Sequence, residues 1–410
     1  MGEGKKANSS RFKLNTLLNI IKVVSNNSSI DELLKTYSSV LLDEFNINSV
    51  LIFNYDNRHW NIILRHGIDD CVAADTIDPE RDFKNLTEYD SISSLDLTQK
   101  LPGLDYIIPI TQNTKPLAYI LIGDAKEGKG TSPIIKNLNS IQILSNHIIV
   151  AIENKRQEGM RKELEMASKM QSLLIPNADI FDGNPYISVC PFYLPHYEVG
   201  GDYYDFDYLS DDEMFFCIAD VAGKGMAAAL LMSNFQASLK ALFVPETGLP
   251  TLVERLNKIV IKNSNGERFI TLFIGRYNFK THVLKYINAG HNPPIMFNKT
   301  TLKLEYLVEG CPGIGMTDDI ISITEGCKTL CNDTKLLCFT DGIVEMEREG
   351  IPDYGQSVVE RSVRDSRPIK ETIHSLLSEL NIQRSNTALL DDVTLLGIDF
   401  FINKATFPPR

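Results

Sequence analysis

Four short acidic motifs in the second half of the chain carry residue types suited to a hard cation. They are VGGDYYDF (199–206), IADVAGKGMAAALL (218–231), FTDGIVE (339–345) and LLDDVTLL (389–396). Each sets a carboxylate at the end of a β-type run, where a loop can aim it into a common cleft. Asp220 and Asp341 directly follow apolar runs, while Asp391 and Asp392 directly precede one. Asp202 is the first of the two acidic residues of the first motif, with Asp205. Carboxylates with no convergent His or Cys favour Mg²⁺ or Mn²⁺. Glycines stand beside three of the motifs: Gly200 and Gly201, Gly223 and Gly225, and Gly342. Glycine there permits positive φ and close backbone approach to an ion or a phosphate. One such motif alone is most often a turn aspartate. Four in this order within one domain point to a site.

The other chemistry-bearing residues are weaker signals. Lys224 lies between two glycines, but the phosphate-loop pattern G-x-x-x-x-G-K-[ST] is absent. It fits a phosphate-steering cation and a surface lysine equally. His291 sits in NAGHNPP (288–294), where Pro293 and Pro294 stiffen the turn. Shaping that loop suits it better than proton transfer. Asp205 suits a supporting acceptor better than a ligand. The seven cysteines are odd in number and form no C-x-x-C pair, which reads as reduced thiols and not a disulfide frame. Cys327 and Cys331 come nearest to a zinc pair, but no second pair follows.

Aiming four loops at one cleft takes a sheet-rich scaffold, and the chain from Pro176 onward has that texture. Residues 187–194, 212–220, 268–278, 282–290, 335–341 and 393–400 read as strands, and 227–243, 252–261 and 369–380 as helices. Strands and helices do not alternate, so two antiparallel sheets flanked by helices are expected rather than a parallel doubly wound sheet. Upstream, residues 1–10 read as disordered. Helical spacing over 13–45 is followed by strand–turn–strand signals at 49–65 and 105–123 and a helix at 133–151. That order predicts an α+β domain with one central antiparallel sheet over 11–150. Residues 151–175 form a helical linker whose seam Met160, Leu164, Ala167, Gln171, Leu174 predicts a short parallel coiled coil between two protomers.

Composition bounds the function. The chain has 410 residues, 43% hydrophobic and 23% charged, an ordinary globular balance. The net charge of −12 divides into −2 for residues 1–175 and −10 for 176–410, against a basic nucleic-acid face. The opening MGEGKKANSS lacks the apolar run of a signal peptide, and Lys6 breaks the myristoylation pattern. The apolar stretch 141–152 is short and interrupted. A cytoplasmic protein without membrane insertion is expected.

From about 160 to 400 the chain resembles the SpoIIE/RsbU-type branch of the PPM metal-dependent serine/threonine phosphatases. The matching pieces are MQSLLIP (170–176), VGGDYYDF, DVAGKGMAAALLM, NAGHNPP, TDGIVE and DDVTLL. Residues 11–150 resemble a GAF sensor domain in size and element order, with no cyclic-nucleotide motif and no cysteine placed for a bilin. The resemblance implies an αββα sandwich over 176–402 with two Mn²⁺ or Mg²⁺ ions between the sheets. It implies Asp220 bridging both ions, the Val221 carbonyl on the second, and Asp341 and Asp391 on the first. Alignment on the following apolar run favours Asp391 over Asp392. Asp202 would support the second ion directly or through water, with Lys224 and His291 on the substrate side. Such a centre hydrolyses the phosphoester by in-line attack of an activated water, without a phosphoenzyme. The implied substrate is a phosphoserine or phosphothreonine on a STAS-domain anti-sigma-factor antagonist. An unknown ligand or protein would act at the GAF-like domain, and the linker would join a homodimer. GGDYYDF also resembles the loop of diguanylate cyclases, but Tyr203 and Tyr204 replace its acid and aromatic pair, and TDGIVE and DDVTLL would have no role. An inactive binding module would lack acidic positions, and none is missing.

Overall fold

The computed structural model describes residues 28–56, 59–68, 74–84, 86–112, 115–124, 133–176, 178–348, 351–382 and 391–402. The disorder expected for residues 1–10, the helical spacing from Leu14 to Ile21, and Cys71 lie outside them. The chain divides into two units, Met1–Lys162 and Glu163–Arg410.

In the first unit, helix α1 (Ile30–Phe45) begins at a capping box. The Ser29 hydroxyl accepts the Glu32 amide at 3.2 Å, and the Glu32 carboxylate accepts the Ser29 amide at 2.9 Å. Strands β1 (Ile47–Asp56), β2 (His59–His66), β3 (Asp90–Ser91), β4 (Tyr106–Gln112) and β5 (Lys115–Asp124) form one antiparallel sheet in the order β2-β1-β5-β4-β3. A single-turn helix α2 (Pro79–Asp82) lies between β2 and β3. Side chains alternate across a strand. Ile52 and Ile120 therefore join a core with Leu33, Tyr37 and Leu41 of α1, while Leu51, Phe53 and Tyr119 join a second one with Phe83. This is the single central sheet expected.

Helix α3 (Pro133–Ser172) runs 40 residues without interruption, about 60 Å at 1.5 Å per residue. The expected break between a closing helix at 151 and a separate linker is absent. Gly159 weakens a helix by only about 1 kcal/mol, and no proline follows Pro133 until Pro176. The boundary between the units falls inside this helix.

The second unit contains two sheets. One runs β13-β10-β9-β8-β7, with β14 also on β10; the other runs β12-β11-β15-β16-β6. Their strands are β6 (Ile187–Leu194), β7 (Tyr203–Ser210), β8 (Glu213–Val221), β9 (Ile270–Asn278), β10 (Val283–Ala289), β11 (Ile295–Asn298), β12 (Leu304–Tyr306), β13 (Gly310–Cys311), β14 (Gly326–Thr329), β15 (Thr334–Phe339) and β16 (Val393–Phe400). Pairing is antiparallel except between β10 and β13. Between the sheets lies a core that includes Phe206, Phe216, Phe273, Leu336, Leu396 and Phe400. Helices α4 (Met226–Leu242) and α5 (Leu249–Ser264) cover the outer face of the first sheet. After the short α6 (Asp341–Val344), helices α7 (Tyr354–Val363) and α8 (Ile369–Glu379) cover the second. The layers are αββα. The sequence signals missed β7, whose alternation is hidden by the acidic motif, the short β11, β12, β13 and β14, and helix α7.

The inter-sheet core is matched side chain to side chain. Phe216 pairs with Gly275 on the next strand, where a Cβ would come within 2.6 Å of the ring. Phe216→Ala should cost about 3–5 kcal/mol; denaturant unfolding of the second unit checks it.

Candidate active site

The four acidic motifs converge at one end of the two sheets. Asp220 is the penultimate residue of β8, and Asp202 lies just before β7 on the neighbouring strand. From the other sheet, Asp341 follows β15 as the first residue of α6, and Asp391 and Asp392 lead into β16.

Glycine shapes this end where expected. After Asp220 the chain turns through Gly223, whose φ of +94° favours glycine, and an added Cβ there would also sit 2.1 Å from the Arg268 guanidinium. That guanidinium donates to the Ala222 carbonyl at 2.6 Å. At Gly200 a Cβ would come within 2.5 Å of both the Tyr193 hydroxyl and an Asp392 oxygen. The Val221 carbonyl lies against Gly201, 3.1 Å from where its Cβ would be.

The two carboxylates of LLDD part company. Asp392 is 8% exposed and is consumed by backbone: it accepts the amides of His196 and Gly201 at 2.7 Å each, and of Asp202 at 3.4 Å. Asp391 stays more open. Its Oδ1 accepts the Asp392 amide at 2.8 Å, and its Oδ2 pairs with Lys224 at 2.7 Å.

The electrostatics follow from crowding like charges in a poorly hydrated cleft. Burial pushes the Asp220 carboxyl up to about 7, aided by the charge of Asp341, while a hydrogen bond with Asp202 pulls the other way. Burial and Asp391 raise Asp341. Burial and Asp220 raise Asp202, opposed by hydroxyl donors from Thr394 and Thr340. Asp392 is raised by burial against its three amide donors. The Lys224 ammonium is raised by its bond to Asp391. Among the described residues, no three His, Cys, Asp or Glu side chains close around a single point. The carboxylates are gathered, and a lysine supplies the positive charge beside one of them.

Two expectations change. His291, expected on the substrate side, is only 5% exposed. Its Nδ1 bonds the Thr271 hydroxyl at 2.9 Å, and Thr271 pairs with Asp220 across β8 and β9. Burial drives the imidazole down to about 4, so the ring is neutral and braces the strand beside Asp220. Gln171, expected in the coiled-coil seam, is 6% exposed. Its amide donates to the Gly200 carbonyl at 2.8 Å and accepts the Gly200 amide at 3.1 Å. A side-chain amide, one donor and one acceptor, matches both backbone groups of a single residue. Asp205 is fully buried against Tyr203 and Lys240, consistent with a supporting role. The sequence reading assigned no role to Thr340 and Thr394, although they stand in FTDGIVE and LLDDVTLL; a polar residue beside an apolar run was the available signal.

Residues 210–401 match the family model of stage II sporulation protein E (SpoIIE). The chain is 28% identical over 251 residues to phosphoserine phosphatase RsbU of Bacillus subtilis (strain 168), covering 58% of this chain and 70% of that protein. These similarities support a serine/threonine phosphatase domain of SpoIIE/RsbU type in the second unit. The chain is also 25% identical over 328 residues to protein IcfG of Synechocystis sp. (strain ATCC 27184 / PCC 6803 / Kazusa), covering 71% of this chain and 51% of that one. The fold matches the SiaA-PP2C domain of Pseudomonas aeruginosa at 16% identity and TM-score 0.50, over 61% of this chain and 98% of that domain. The region matched by the family model contains Asp220, Asp341 and Asp391, and Asp202 lies just before it. No helix among the described residues is long and apolar enough to cross a membrane.

The raised Asp220 carboxyl fixes a pH dependence for the phosphatase domain. In the chelated protein it keeps its proton to about pH 7, whereas unfolded it loses it near pH 3.9. Its stabilising contribution is therefore complete below pH 4 and is lost as pH rises through 7. Melting in EDTA should show stability falling between pH 5 and 8, with a smaller fall in Asp220→Asn.

Proposed function

We propose that this protein is a cytoplasmic, metal-dependent protein phosphatase acting on a phosphoserine or phosphothreonine of a regulatory protein, with two Mn²⁺ or Mg²⁺ ions held between its sheets. One observation carries the reading: Asp202, Asp220, Asp341 and Asp391 are collected from both sheets at one buried end, where burial, aided by the charge of neighbouring carboxylates, raises three of them. Folding gathers such charges at a cost that bound cations offset. An all-oxygen donor set suits Mg²⁺ and Mn²⁺.

In this reading Asp220 would serve both ions, Asp341 and Asp391 would hold the first, and the Val221 carbonyl with Asp202, directly or through water, would serve the second. The amides that occupy Asp392 support Asp391 as the ligand. When bound, the ions lower the pKa of a water and offset charge on the phosphoryl oxygens. Lys224, 44% exposed on its side chain, turns from Asp391 to the incoming phosphate. His291 and Thr271 keep the strand beside Asp220 in register.

Similarity to RsbU, a phosphoserine phosphatase, supports the serine class. It also supports a phosphorylated STAS-domain anti-sigma-factor antagonist as substrate in a partner-switching cascade. The first unit, with its single sheet between helices and loops, is a GAF-like sensor for a ligand or protein. Met160, 55% exposed, lies one turn before Leu164 on α3, and this apolar pair of the seam supports a homodimer through this helix.

Chelation should abolish hydrolysis of p-nitrophenyl phosphate, and Mn²⁺ should restore it; full activity in excess EDTA defeats the mechanism. Asp220→Asn, Asp341→Asn and Asp391→Asn should each lose more than tenfold in rate, above about 1.4 kcal/mol. Asp211→Asn, on an exposed turn, should stay near wild type. For the helix, Leu164→Asp should weaken dimerisation in light scattering and change the phosphatase rate. A monomeric wild type with the same rate as Leu164→Asp would reduce the helix to a tether.

A further inference from the structure

Asp202 is 1% exposed, and two hydroxyls meet on one of its oxygens. Thr394 Oγ1 donates to Oδ2 at 2.5 Å, and Thr340 Oγ1 donates to the same atom at 2.8 Å. Both threonines are fully buried. Thr394 lies in β16 and Thr340 directly follows β15, its neighbour in the same sheet, whereas Asp202 leads into the other sheet, so the bonds cross between the layers.

The proton directions follow from the backbone. The Thr394 amide donates to Thr340 Oγ1 at 3.0 Å, so that oxygen is already an acceptor and its own proton goes to Asp202. The Thr340 amide donates to the Thr394 carbonyl at 3.1 Å, which fixes the spacing of the two residues. With two donors on Oδ2, the plane of the carboxyl is set. Neither threonine donates to Oδ1, the oxygen an ion could take, and Asp202 also hydrogen-bonds Asp220.

We propose that Thr340 and Thr394 are positioning residues that select which oxygen of Asp202 is presented to the ions, and so set the affinity for the second ion. The proposal rests on the metal-dependent reading above. Removing an outer hydrogen-bond partner of a metal ligand typically costs ten- to a hundredfold in affinity. Valine keeps the shape of threonine without the hydroxyl, and serine keeps the hydroxyl without the methyl.

The test is Mn²⁺ titration by calorimetry on the full chain after chelation, with melting in EDTA as the check on folding. Thr340→Val and Thr394→Val should each weaken the second binding step by about tenfold or more. The Mn²⁺ concentration for half-maximal p-nitrophenyl phosphate hydrolysis should rise by the same factor. Thr340→Ser and Thr394→Ser should bind within about twofold of wild type. Should a valine variant fail to fold, Thr340→Cys and Thr394→Cys keep the size with only a weak donor, and the same loss is expected. Valine or cysteine variants with wild-type isotherms, or serine variants as impaired as valine, overturn the positioning role alone. A wild type that takes up no Mn²⁺ overturns the metal reading, and this proposal with it.

Discussion

Negative charge is concentrated where water is scarce, and the arrangement of the phosphatase domain follows from that constraint. Asp202, Asp220, Asp341 and Asp392 are all raised chiefly by burial, and each feels the charge of another carboxylate nearby. Isolated, such groups would neutralise or swing toward solvent. Here the strands hold them in place. Asp220 is fixed by its register against Thr271 on β9, and Asp341 by the helix that begins at it.

The backbone does much of the holding. Asp392 takes amides from residues 196, 201 and 202, tying the approach to β7 to the start of β16 in the opposite sheet. Gln171 grips the same loop through both groups of Gly200. That loop must pass close to Tyr193 and Asp392, which is why Gly200 cannot carry a side chain without displacing one of them. Asp392 thus has a structural assignment that its neighbour lacks, although the two look interchangeable in the sequence. What separates them is alternation: consecutive residues entering a strand point to opposite sides.

Much of the second unit was legible beforehand because its strands are short, apolar and bounded by turn residues. VTLLGIDF and ISVCPFYL coincide with β16 and β6 residue for residue. The candidate carboxylates were legible as a set: one acid at the end of an apolar run is most often a turn aspartate, but four such motifs stand in one domain. What stayed hidden was of two kinds. β7 reads as YYDFDYLS, whose aspartates mask its buried face, and the continuity of α3 depended on one glycine being tolerated.

The sequence by itself determined the chemistry on offer: hard oxygen donors, glycine where the chain must approach closely, two antiparallel sheets with helices outside, and an acidic second half. Those are local properties of composition and periodicity. Only the tertiary structure decided which carboxylate is spent on backbone amides, that His291 is buried against Thr271, and that Gln171 faces Gly200 instead of a partner helix. Each of those outcomes depends on a contact between residues far apart in the chain: Gln171 with Gly200, Asp392 with Gly201, Thr394 with Asp202. No window of local sequence contains both partners, and only packing the two sheets together brings them within hydrogen-bond distance.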